Sequence, residues 1–109
     1  MDIRTLLFAV IHGRDLETAT DRLSAGGMLV TRIQSWGGFL TQPNHLLLIG
    51  VPNSGLDDAL QILEKTCRTR VEYVPPPFES MPGPIGPPIP VEVRGATAFA
   101  FRVERYEEL

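Results

Sequence analysis

Cysteine occurs once in this 109-residue chain, as Cys67, tryptophan once, as Trp36, and histidine twice, as His12 and His45. A single cysteine excludes an intramolecular disulfide framework and a cysteine-rich zinc site. The histidines lie far apart, each beside a strand-like run, and no carboxylate is spaced to orient either one. General acid–base catalysis therefore has nothing to stand on. No Walker loop and no dinucleotide fingerprint occurs. An arginine-bearing loop after the first strand has only Arg14 to offer. The reading is that this is no enzyme, with no metal and no resident cofactor. Long hydrophobic runs are missing too: the N-terminal "TLLFAVIH" is too short to span a bilayer. It also lacks a small-residue cleavage site, so a cytoplasmic protein without membrane insertion is expected. Excess positive charge is absent, since the formal charge is −3 and the ten basic residues are scattered. That argues against a nucleic-acid-binding surface.

What is present reads as one globular domain over residues 1–109. The apolar and charged fractions, 43% and 21%, are close to globular averages. "TLLFAVIH" suits a buried strand. Asp15 then stands as an N-cap before Leu16, Ala19 and Leu23, one helical face, and Gly26–Gly27 stop that helix. "MLVTRIQS" and "HLLLIGV" read as the second and third strands. Ser54 with Asp57 resembles a capping box ahead of Leu56, Ala59, Leu60 and Leu63, and "RVEYV" resumes strand character. Strand–helix–strand occurs twice, which predicts an α+β, ferredoxin-like βαββαβ sandwich with both helices on one sheet face. The other face would be left apolar and open, so an oligomer is expected.

From Pro75 to Pro90, "PPPFESMPGPIGPPIP", eight of sixteen residues are proline. Proline removes a backbone donor and fixes φ, so a long loop is expected here, before the last strand. It reads either as a semi-rigid spacer or as a partner-binding segment. "VEVRGATAFAFRV" then alternates as one long additional C-terminal strand, bent at Gly95.

Between the second and third strands stands "SWGGFLTQPN". Gly37 and Gly38 allow a close approach to the main chain. Phe39 offers a stacking face, Asn44 a paired donor and acceptor suited to an adenine edge, and Thr31 a hydroxyl. The same residues also read as a turn, with Phe39 in the core.

"GGFL", the asparagine four residues beyond it, "LIGV", "EKTCRTR" and "VEVRGATAFAF" together resemble the PII-like cyclic di-AMP receptor family. The resemblance runs in order over nearly the whole chain. It implies a homotrimer of ferredoxin-like subunits that binds cyclic di-AMP in a cleft between subunits and relays it through the long loop to an unidentified protein partner. The pocket it implies comprises Thr31, Gly38, Phe39, Leu40, Asn44, Gly50 and Phe99, with Gly27, Leu29, Trp36 and Gly37 as further lining. Three positions depart from the family's pattern. Gly27 and Leu29 stand where an asparagine and an arginine are usual, and Trp36 replaces a small threonine. Leucine in place of a charged donor removes a hydrogen bond worth roughly 1.5–3 kcal/mol. Arg32 cannot substitute, because the two-residue strand period turns it to the other face. The alternatives are a PII-like sensor of another adenine nucleotide or metabolite, and a ligand-free scaffold that works through the Pro-rich segment.

Overall fold

The computed structural model describes residues 2–33, 44–74, 89–93 and 95–109. Along them run β1 (Ile3–His12), α1 (Leu16–Ala25), β2 (Leu29–Ile33), β3 (Asn44–Pro52), α2 (Leu56–Thr66), β4 (Arg70–Val74), β5 (Ile89–Val93) and β6 (Ala96–Arg102). A single 3-10 turn, Gly13–Asp15, joins β1 to α1.

The helices form where the apolar spacing asks for them. α1 buries Ala19 and Leu23, and α2 buries Ala59 and Leu63. α1 ends at Ala25 and Gly27 adopts φ 90°, a left-handed conformation that glycine takes without steric cost. Two expected caps differ. Asp15 holds the N-cap position of α1 but its side chain makes no capping bond. At α2 the N-cap is Gly55 rather than Ser54, and the turn closes instead through the Gly55 amide, which donates to the Pro52 carbonyl at 3.1 Å.

The main sheet is antiparallel with order β2-β3-β1-β6. Both helices pack on one face, which makes the fold α+β and ferredoxin-like. On that face Leu7, Ala9, Ile11, Leu47, Ile49 and Val51 are buried together with the helix residues, Met28 and Cys67. The opposite face is set out by three cross-strand rows. Leu29, Gly50, Leu6 and Phe101 form the first, and Thr31, Leu48, Phe8 and Phe99 the second. Ile33, Leu46, Val10 and Thr97 form the third. Phe8 and Phe101 meet edge to face across this surface, with ring centroids 5.4 Å apart.

The sequence reading had one long final strand bent at Gly95. The chain instead divides there. β5 pairs with β4 in a separate two-stranded sheet, whereas β6 takes the fourth place in the main sheet, beside β1. The cause is local. Gly95 is buried against the carbonyl group of Cys67, where the chain leaves α2, and a Cβ there would overlap it. Only a glycine lets the α2–β4 join cross so close above the start of β6. β6 is also longer than β4, and seven of its positions pair with β1. The Pro-rich segment falls outside the described residues up to 88; its last two residues, Ile89 and Pro90, begin β5, with Pro90 opposite Tyr73. A proline fits there because a two-stranded sheet has only edge strands.

Candidate ligand-binding face

The face turned away from the helices is built by strand alternation. Inward residues of β1 and β3 meet the helices, so Leu6, Phe8, Val10, Leu46 and Leu48 must point the other way, where they are only half-buried. At the two edges the exposure is larger: Leu29 is 52% exposed on β2, and Phe99 and Phe101 are 56% and 53% exposed on β6.

Five candidate residues map onto this surface. Thr31 lies opposite Leu48, Leu29 opposite Gly50, and Phe99 opposite Phe8. Asn44 opens β3 opposite His12. Gly50 of β3 is buried between Leu29 of β2 and Leu6 of β1, where a Cβ would stand 3.2 Å from Ile3 Cδ1 and 3.4 Å from Leu29 Cβ. The buried Ile3 side chain fills the space beside it, so no notch opens next to Leu29. Gly27 sits apart, in the turn that leads into β2. Trp36, Gly37, Gly38, Phe39 and Leu40 lie outside the described residues. Arg32 pairs with the buried Leu47, so it shares the helix-side face and does not join Leu29 and Thr31, as the strand period required.

Spacing on this face is informative. Thr31 and Phe99 belong to one row but to opposite edges of the sheet, three strand steps or ~14 Å apart. Along β3, Asn44 and Gly50 are six residues apart, or ~20 Å. Within one chain these residues share a face without converging on a point. His12 is a neighbour that sequence reasoning left out. Its Nδ1 accepts a hydrogen bond from the Arg14 amide at 3.1 Å, which fixes the ring at the end of β1. The pairing of His12 with Asn44 depends on the β1–β3 register, and no local sequence signal carries that.

A family model described as cyclic-di-AMP receptor matches residues 4–109, from the start of β1 through the tail. The chain belongs to the cyclic-di-AMP receptor family. That family is PII-like, and its description is one of ligand reception, which agrees with a binding protein rather than an enzyme. The fold is shared with a solved structure, that of a functionally unknown protein from Pediococcus pentosaceus ATCC 25745. The two are 26% identical, the alignment covers 100% of both chains, and the TM-score is 0.70. In this member of the cyclic-di-AMP receptor family, two of the segments that carried the resemblance touch each other: Cys67 of "EKTCRTR" lies against Gly95 of "VEVRGATAFAF". Among the described residues no helix is long and apolar enough to cross a membrane.

Proposed function

We propose that this chain is a PII-like signalling receptor that binds cyclic di-AMP in a cleft between subunits, as a homotrimer, and relays occupancy through the segment between β4 and β5 to a protein partner. The observation that carries the reading is the layout of the open face. Thr31 and Phe99 are too far apart in one chain to contact a single purine. Each lies at a sheet edge, where a second copy can bring the complementary edge within reach. An uncovered apolar face of this extent also favours self-association, because monomers seldom expose such patches. Asn44 would read a base edge from the end of β3, and Phe39 and Leu40 would pack against the ring. The ligand shifts the partner-facing segment only if its affinity differs between that segment's states. Leu29 favours a second reading, in which the same trimer senses another adenine nucleotide that does not call for a cation at this position.

Calorimetric titration with cyclic di-AMP, with cyclic di-GMP and ATP as controls, tests both. Micromolar or tighter binding selective for cyclic di-AMP, near one ligand per subunit, is expected. Selective heat with ATP alone would favour the second reading. No heat from any of the three, in a folded oligomer, would refute nucleotide sensing.

A further inference from the structure

We infer that the β4–β5 ribbon is held to the body of the domain at a single main-chain joint, where Gly95 lies on the Cys67 carbonyl group, and that it opens there while the main sheet stays intact. Among the described residues, β4 and β5 contact chiefly each other. Their ladder runs from Arg70 opposite Val93 to Val74 opposite Ile89, and Pro90 takes one of its places without an amide to donate. A two-stranded ribbon with no layer packed on it is marginally stable in water, and Val71 of this one is exposed. Both legs reach the body at one point. β4 begins three residues after Cys67, and β5 ends two residues before Gly95. There the would-be Cβ of Gly95 overlaps the Cys67 carbonyl group and stands 2.7 Å from the carbonyl carbon of Arg68.

The joint has unfilled space on both sides. On one side Leu60 and Leu63 of α2 face Ala96 and Ala98 of β6 across a depression of about 240 Å³. The two alanines pair with Ile11 and Ala9, which puts them on the helix side of the sheet, where residues this small leave the space open. On the other side Gln61, Lys65 and Arg68 border a depression of about 730 Å³. Cys67 and Thr69 border both. Where side chains interlock, parting two elements forfeits close-packed contact. Here that packing is missing on either side, so parting forfeits little beyond the main-chain contact itself. β6 does not follow the ribbon, because seven of its positions are paired with β1. Elements that move come from the least stable part of a fold, and this joint lets the ribbon change its stance against a fixed sheet. The buried Cys67 becomes accessible as the joint opens.

Cys67 is the chain's single cysteine, so its labelling by a chromogenic disulfide reagent in the intact protein reports on this joint. The rate is measured at fixed pH in urea concentrations below the onset of global unfolding. Access through the joint exposes little surface, and the rate is expected to change by less than about twofold over the first molar of urea. Access through global unfolding would raise it about fivefold or more per molar, and that result, or no labelling at all, would overturn the inference. Ala98→Leu, at an exposed position bordering the smaller depression, fills the space beside the joint and is expected to slow labelling by about threefold or more. An unchanged or faster rate in that variant, shown to be folded by circular dichroism, would overturn the placing of the joint. Hydrogen exchange gives a second reading: β4 and β5 amides are expected to exchange well ahead of the β6 amides paired to β1. Exchange of all three together would mean that the sheet opens as a whole, and would equally overturn it.

Discussion

Replacing Gly95 by alanine tests the junction on which the sheet depends. A Cβ at this position would overlap the Cys67 carbonyl group and would stand 2.7 Å from the Arg68 carbonyl carbon. All of these neighbours are main-chain atoms at the end of α2, so no side-chain rotation relieves the clash. Either the α2–β4 join moves or the first residues of β6 leave their pairing with Ile11 and Val10. Overpacking a close-packed site costs about 1–3 kcal/mol, and a rigid backbone neighbour places this substitution at or above the upper end. Unfolding entropy of about 2.1 cal/mol/K per residue gives about 230 cal/mol/K for 109 residues. A loss of about 3 kcal/mol therefore lowers Tm by about 13 °C. Thermal denaturation followed by circular dichroism measures it, with Gly27→Ala as the comparison. Gly27 has nothing within 4 Å of its would-be Cβ and a φ of 90°, so only conformational strain of about 1 kcal/mol is expected there, or about 4 °C. A Gly95→Ala protein melting within about 3 °C of wild type would refute the reasoning.

Three further outcomes are expected. Asn44→Ala should weaken cyclic di-AMP binding about tenfold while leaving the oligomer unchanged in size by light scattering, and unchanged affinity would remove Asn44 from the site. Leu47→Ala, at a position fully buried between the sheet and the helices, should cost about 2–5 kcal/mol in urea denaturation; a cost under 1 kcal/mol would mean that the helix layer does not seal that face. The Tyr106 hydroxyl donates to Glu108 Oε1 at 2.6 Å, and this bond, aided by partial desolvation and the nearby Glu108 charge, raises the phenol above its ordinary 10.0. With the folded value above the unfolded one, the contribution of this contact is present below pH 10 and fades as pH rises through the folded value. Tyrosinate absorbance in a Tyr73→Phe background should show that late titration, and Glu108→Gln should bring it earlier. Coincident curves for the two proteins would contradict the assignment.

The elements were legible in the sequence wherever one local rule decided them. The runs in β1 and β3, the leucine–alanine stripes of α1 and α2 and the Gly26–Gly27 stop are all short-range signals, and the structure places them within a residue or two. "RVEYV" spans the same five residues in both. The open apolar face followed too, because two helices can cover only one side of a sheet. What could not be read was pairing between distant segments. Nothing local in "VEVRGATAFAF" says that residues before and after Gly95 join different sheets; that depends on Cys67, far away in sequence. The cap at α2 was missed by one residue because Gly55 closes the turn with its own backbone, which a side-chain motif does not reveal. Among the candidate residues, strand alternation put Leu29 and Thr31 on one face and Arg32 on the other, as the pairing shows. The ~14 Å between Thr31 and Phe99 needed the strand order.

The place of β6 has a consequence for how the molecule comes into being. Among the described strands β1 comes first in the chain and its partner on one side comes last: Thr5 pairs with Arg102, 97 positions later, and the Val103 amide donates to the Arg4 carbonyl at 3.0 Å. Until residues 96–102 have emerged, a long apolar strand rich in leucine and isoleucine presents a row of unsatisfied amides and carbonyls, the condition under which strands pair with the wrong chain. Contacts of such sequence separation are also slow to find. Of the described strands, β1 is the first to form and the last to be fully paired.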